Sequence, residues 1–300
     1  MLQLAVRTLM RVVRDSPGRL PDILLERRAV GEAARSSPPA TIASDGYPFG
    51  SRILGPVRLL ARQDLDELRE IAVSNMYCAA GFTPRDGWTV VDVGANLGLF
   101  SLWARSFMSR GRIVAIEPVP TNFRVLWDNL AAALGGARRA PVLVPVNVAV
   151  SDRAETLDFL LPHGPLGWSA AAGWACAVGS SCAEFLDPHG VERASLCALP
   201  LDAVLEGLVP GQRPKTVDLL KIDVEGMEVQ CLAGGWTTLG STQRVVFEYH
   251  SPGLLARSSD LLRAAGLREV LRRCPYSRDI GLSFWTRSRR AGQRPVVIEQ

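Results

Sequence analysis

Lysine is almost missing from this chain. Of its 34 basic side chains only Lys215 and Lys221 are lysines. With abundant Ala, Gly and Pro, an arginine bias of this kind is the mark of a GC-rich bacterial genome. No cluster of Arg or Lys alternates with aromatic residues, so the net charge of +4 does not suggest nucleic-acid binding. Long apolar runs are missing too. None approaches the roughly 20 residues a membrane-spanning helix needs. Arginines at positions 7, 11 and 14 break up the only stretch that resembles a signal-peptide core. The six cysteines include no CxxC pair, which is the pattern of reduced thiols in a cytoplasmic protein. Cys176, Cys182, His189 and Cys197 are spaced like no standard zinc site, and no metal is expected.

What is present is ordinary for a protein that buries a core: 47% hydrophobic and 21% charged residues in 300. Residues 2–14 alternate arginines with Leu2, Val6, Leu9, Met10 and Val13 at helical spacing. They read as a short amphipathic basic helix that either packs on the main domain or touches a membrane surface or partner. Residues 29–52 are rich in Ala, Ser, Pro and Gly and read as a linker or arm. The expected organisation is an N-terminal extension over 1–52, a main domain over 53–290, and a tail over 291–300. An irregular insertion is expected at about 162–198, where Trp168 and Trp174 would wall a pocket or form a small core of their own.

One stretch organises the main domain. Thr89-Val-Val-Asp92-Val-Gly94-Ala-Asn96-Leu-Gly98 is an apolar run ending in an acid and a Gly-rich turn. A helix from Leu99 to Phe107 follows, then Arg112-Ile-Val-Ala-Ile-Glu117-Pro118. Strand, Gly-rich turn, helix, strand and acid make up the nucleoside-binding edge of an open α/β sheet. Glu117 stands 19 residues after Gly98, where an acid accepts hydrogen bonds from both ribose hydroxyls. The glycine spacing is not that of the dinucleotide fingerprint, because Asn96 and Leu99 occupy the later glycine positions. Asp92 would repel a pyrophosphate and suits a ligand that carries an ammonium group. Asp92 capping the turn is the other reading. Asn96 would hold the loop through local backbone bonds.

Further strands are expected at 142–150, 217–224, 245–249, 267–271 and 282–286, with helices at 121–134, 202–206, 225–232 and 260–265. Residues 155–161 alternate weakly and would extend the sheet. A strand at 53–60 and a helix at 65–76 lead in, the helix turning Leu65, Leu68, Ile71 and Ala72 inward. The fold expected is α/β: one doubly wound, mostly parallel seven-stranded sheet.

Val91-Asp-Val-Gly-Ala-Asn-Leu-Gly-Leu-Phe-Ser101, Glu117-Pro-Val-Pro120, Asn147-Val-Ala-Val-Ser-Asp152 and Leu220-Lys-Ile-Asp-Val-Glu-Gly226 occur in an order that resembles the FkbM family of methyltransferases. The resemblance covers roughly residues 75–272. It implies a Rossmann-like class I methyltransferase sheet and S-adenosylmethionine as methyl donor. The lead-in would lie over the ligand site. Asp92, Gly94, Asn96, Gly98, Glu117 and Ala149 would surround the donor, with Asp92 on the methionyl side and the 147–152 block beside the adenine.

Lys221, Asp223 and Glu225 would share one face of their strand, a costly arrangement unless the charges pair or approach solvent. A Lys–Asp pair would meet that need structurally. In the functional reading the same cluster lies where an acceptor hydroxyl meets the methyl group. Methyl transfer is an in-line displacement, so alignment supplies most of the catalysis and an alcohol acceptor gains from a base. His250, at the end of the next strand, is the expected base, with Asp223 or Glu225 orienting it or the acceptor. A hydrogen-bonded neutral histidine is the plain alternative. Asp223, Glu225, Glu248 and His250 also include the atom types of a metal site, although their spacing does not demand one.

The function expected is O-methylation of a hydroxyl on a sugar, glycolipid or secondary metabolite. Alternatives are a nitrogen or carboxylate acceptor, or an inactive nucleotide-binding scaffold. A nicotinamide dehydrogenase is disfavoured by the glycine spacing and by Asp92.

Overall fold

Valine and isoleucine fill the central strands, and both faces of the sheet they form are covered. In the computed structural model, Val90, Ile113, Ala115, Leu219 and Val246 face one core, while Val91, Val93, Val114, Ile116, Leu220 and Phe247 face the other. Alternation with apolar residues on both sides is what a parallel sheet between two helical layers requires. The structure describes residues 47–51, 53–60, 64–134, 139–162, 176–177, 191–207, 214–274, 279–287 and 297–299. The expected helix at 2–14 and both insertion tryptophans lie outside them.

A hairpin, β1 (Tyr47–Ser51) and β2 (Gly55–Leu59), leads into α1, an α-turn over Asp64–Leu68 continued by a π-turn over Arg69–Val73. β1 thus occupies the end of the segment expected to be a linker. Leu65, Leu68, Ile71 and Ala72 do face inward. Then come β3 (Thr89–Val93), α2 (Leu99–Arg105), β4 (Arg112–Ile116), α3 (Pro120–Leu134) and β5 (Val142–Val146). β6 (Ala149–Ser151), β7 (Glu155–Pro162), β8 (Cys176–Ala177) and β9 (Val191–Pro200) follow. The chain continues through α4 (Leu201–Gly207), β10 (Leu219–Ile222), α5 (Glu228–Gly234), α6 (Trp236–Ser241), β11 (Arg244–Tyr249) and α7 (Pro252–Ala264). It ends with β12 (Arg268–Arg273), β13 (Gly281–Thr286) and β14 (Val297–Glu299).

The main sheet runs β14-β12-β13-β11-β10-β3-β4-β5. Its seven expected strands are present, parallel except for β13, which is antiparallel to both neighbours. The eighth strand, β14, comes from the expected tail and pairs with β12. Arg273, 1% exposed, anchors this edge by donating to the carbonyls of Met76 and Cys78 while its Nε pairs with Glu299.

Three expectations fail around a second sheet. The strand expected over 142–150 is two strands, because the chain leaves the main sheet at Asn147, whose amide donates to the Glu117 and Pro118 carbonyls at 2.8 and 2.9 Å. Residues 155–161 do not extend the main sheet. They pair antiparallel with β9 in a four-stranded sheet of order β6-β9-β7-β8. The insertion is therefore a strand from residue 191 on. Its inward positions, Ala194, Leu196 and Ala198, are too small and too few to give a clear hydrophobic alternation.

Candidate active site

A cavity of about 410 Å³ opens over the carboxyl ends of β3, β4, β10 and β11, where open α/β sheets bind ligands. It has three walls. The Gly-rich turn and Glu117 form one. The second is apolar: Val148, Ala149 and Val150 with Leu157, Phe159 and Met227, mostly from the second sheet. The third is charged, with Asp223, Glu225, Glu248 and His250 facing Glu67 and Glu70 of α1.

Gly94 has φ +74°, and a Cβ there would lie 1.7 Å from the carbonyl oxygen of Asp223. Only glycine lets the two strand ends approach so closely. Gly98 does not line the cavity. Its φ is +85°, and an added Cβ would press on Leu126 of α3 at 2.9 Å, so this glycine serves helix packing. Asn96 is also left-handed, with φ +47°. Its side chain holds the loop, but not through the local backbone bonds expected. Its Nδ2 donates to Glu67 Oε2 at 2.7 Å, and its Oδ1 accepts from Asn122 at 3.0 Å.

Asp92 departs most from expectation. It is fully buried and does not line the cavity. Lys221 is its direct partner in the pairing of β3 with β10, and Nζ stands 3.2 Å from Asp92 Oδ1. Asp92 Oδ2 accepts from the Ser101 hydroxyl at 2.7 Å. The ammonium that meets Asp92 is thus the protein's own. Lys221 also donates to the Gly94 carbonyl at 2.7 Å and lies 3.5 Å from Asp223. Burial alone would depress its ammonium, but Asp92, Asp223 and Glu67 outweigh that and hold it above the usual lysine range.

Glu117 directly follows β4 at the cavity wall, 4% exposed. Its Oε2 accepts the Asn96 N–H at 2.9 Å and its Oε1 the Val119 N–H at 3.0 Å. Burial pushes this carboxyl up to about 7, although both N–H bonds oppose the rise. Glu70 is raised to about 7 as well, by burial and then by Asp223. Burial, and next Asp64, hold Glu67 well above the carboxylate range. For Glu248 the causes are burial and then Asp223. Carboxyls gathered in this way favour a cationic ligand.

β10 ends at Ile222, and Glu225 sits in a left-handed turn at φ +50°, so the alternation expected through 221–225 stops at the strand end. The expected helix likewise begins only at Glu228. The turn swings the Glu225 carboxylate to His250, with Oε2 3.1 Å from Nε2. On the other side of the ring, Glu228 Oε1 lies 2.7 Å from Nδ1. Burial alone would favour neutral imidazole, but Glu225, Glu228 and Glu248 outweigh it and hold His250 well above the histidine range. Donor atoms of Asp223, Glu225 and His250 lie within 4.8 Å of one another, and the imidazolium is itself a cation within that group.

The fold therefore brings Gly94, Asn96, Glu117, Ala149, Asp223, Glu225 and His250 to one cavity and leaves Asp92 and Gly98 behind it. Sequence reasoning missed Glu67, Glu70 and Glu228. The first two were signalled by their spacing of three on a helix whose opposite side is apolar.

Residues 92–276 match the methyltransferase FkbM domain. The chain belongs to the FkbM methyltransferase family. A relative from Pseudomonas aeruginosa, the AMB antimetabolite synthetase AmbE, is 28% identical over 305 aligned positions, covering 85% of this chain and 14% of the relative. Methyltransferase sdnD from Sordaria araneosa is 32% identical over 160 positions, 48% of this chain and 59% of the relative. In both cases the match spans less than two thirds of the curated relative. Similar solved structures include Aeropyrum pernix fibrillarin with natively bound S-adenosyl-L-methionine (13% identity, TM-score 0.40, 67% of each chain). Magnesium protoporphyrin IX methyltransferase from Synechocystis PCC 6803 is another (10% identity, TM-score 0.39, 75% of this chain and 79% of that one).

The family's methyl donor, S-adenosylmethionine, suits these walls. One wall holds a buried carboxylate at Glu117, a second is apolar, and the remaining acids suit positive charge. Bound there, the donor supplies an electrophilic methyl group on a sulfonium. Among the described residues no helix is long and apolar enough to cross a membrane.

Proposed function

We propose that this FkbM methyltransferase transfers the donor's methyl group to a hydroxyl of a sugar or secondary metabolite, with His250 as general base. The observation that carries the reading is the imidazole at the cavity wall, 6% exposed and held by carboxylates on both ring nitrogens. An alkyl hydroxyl needs a base far more than an amine does, and an oriented imidazole is suited to that role. A carboxylate acceptor is disfavoured because no arginine or lysine is among the cavity-lining residues described. Of the two acceptor classes, a secondary metabolite is favoured by the likeness to part of an antimetabolite synthetase.

Glu117 binds the ribose hydroxyls, Gly94 lines the donor's side of the cavity, and Ala149 borders the adenine. Glu67, and not Asp92, faces the cavity beside Asn96, so the donor's ammonium group meets Glu67. Asp223 and Glu225 orient the acceptor. Alignment of acceptor oxygen, methyl and sulfur between these walls supplies most of the catalysis.

The test is transfer of an isotope-labelled methyl group to a panel of hydroxyl, amine and carboxylate compounds, with product mass and linkage determined. Label in ether linkages is the expected result. Label only in amines or esters overturns the hydroxyl reading, and failure to bind S-adenosylhomocysteine overturns the donor site.

A further inference from the structure

We propose that Glu228 is the positioning residue of this site: it fixes the tautomer and aim of His250 and, through the same oxygen, the turn that carries Glu225. The inference rests on His250 being the base. Glu228 is 0% exposed in the first turn of α5, which Cys231 and Leu232, both fully buried, anchor in the core. Its Oε1 accepts the Gly226 N–H at 3.0 Å and meets His250 Nδ1 at 2.7 Å. A buried carboxylate against Nδ1 keeps a proton there, so the proton lost when the imidazolium deprotonates is the one on Nε2, and only then is the Nε2 lone pair free for chemistry. Nε2 is the nitrogen on the Glu225 side of the ring, 3.1 Å from that carboxylate.

Gly226, with φ +98°, follows Glu225 in the left-handed turn. Anchoring its N–H therefore also sets the direction of the Glu225 side chain. One oxygen coordinates the base and its neighbour. The charged groups facing His250 are Glu225 and Glu228 from the segment after β10, Asp223 at the end of that strand, and Glu248 on β11.

The acceptor O–H proton passes to Nε2 as the oxygen forms its bond to the methyl carbon. The carbon–sulfur bond breaks, and its electron pair stays on sulfur, which becomes a neutral thioether. The imidazolium then returns its proton to solvent. Throughout, Glu228 keeps its hydrogen bond to Nδ1–H and stabilises the charge that forms on the ring.

Glu228→Gln is the informative variant, because its amide oxygen still accepts from Gly226 and Nδ1 while the charge is lost. We expect kcat to fall roughly 10- to 100-fold, the size seen when an orienting partner is lost. The acid limb of the kcat/KM–pH profile should move to lower pH by about one pH unit or more, since a nearby negative charge no longer favours the imidazolium. Affinity for S-adenosylhomocysteine should stay within about two-fold, because Glu228 lies outside the cavity lining. Glu228→Asp, which keeps the charge, should restore the wild-type acid limb even if its kcat is lower, and it serves as the second variant if the first does not fold.

An acid limb left in place by Glu228→Gln, or one moved equally by Glu228→Asp, overturns the proposal. The base reading fails separately, if His250→Ala turns over at the wild-type rate.

Discussion

Two buried acid–base groups lie on either side of the Gly-rich turn. Behind it, Lys221 joins Asp92 across neighbouring strands, and neither side chain is more than 4% exposed. In front, His250 sits between Glu225 and Glu228 and faces the cavity. The first group contains a cation held above the usual lysine range, so its charge stays fixed at any working pH. The second contains a ring held well above the histidine range by Glu225, Glu228 and Glu248, so it gives up its proton only as pH rises. The lysine pair fixes the turn, whose carbonyl it binds at Gly94. The histidine group can move a proton. Similar carboxylate–cation contacts thus serve structure in one place and, in the proposed mechanism, chemistry in the other.

Removing one partner of the sealed pair should have the largest effect on stability. Lys221→Met leaves Asp92 buried and uncompensated and should cost about 3–5 kcal/mol in denaturant unfolding. A loss below about 1 kcal/mol would mean that the pair does not carry the turn. Glu117→Gln should cost less. It removes a charged acceptor from the ribose and should weaken S-adenosylhomocysteine binding by about 1.5–3 kcal/mol in calorimetry, with little change in folding stability. Unaltered affinity would remove Glu117 from the donor site.

The smallest effect is one of pH. The Glu117 carboxyl is raised to about 7, so it is ionised above that value and protonated below it. An ionised carboxylate accepts from hydroxyls more strongly than a protonated one, so with the proposed ribose contact affinity for S-adenosylhomocysteine should be several-fold higher at pH 8 than at pH 6 (about 1 kcal/mol for five-fold). Glu117→Gln should flatten that difference. Equal wild-type affinity at the two pH values would contradict the assignment.

The sequence carried the central strands clearly, because runs such as Thr89–Val93 and Arg112–Ile116 are apolar, short and bounded by Gly or Pro. Each strand-end acid was legible for the same reason. The partner of Asp92 was not, because Lys221 lies 129 residues away and only the pairing of β3 with β10 joins them. Glu228 was obscured by the left-handed Glu225–Gly226 turn, which delays the helix and turns two acids onto one ring. The second sheet was the least legible, since β9 offers small residues where a strand usually shows large ones.

The most direct test of the account is the pH dependence of methyl transfer in wild type and His250→Ala, with S-adenosylhomocysteine affinity measured alongside. Because the ring is held well above its usual range, the wild-type rate should rise with pH as the imidazolium loses its proton. His250→Ala should be slower by about 10²- to 10⁴-fold, lose that rise, and bind S-adenosylhomocysteine as before. A variant with the wild-type rate and the same rise would contradict the account, and the base would have to be sought elsewhere in the cavity.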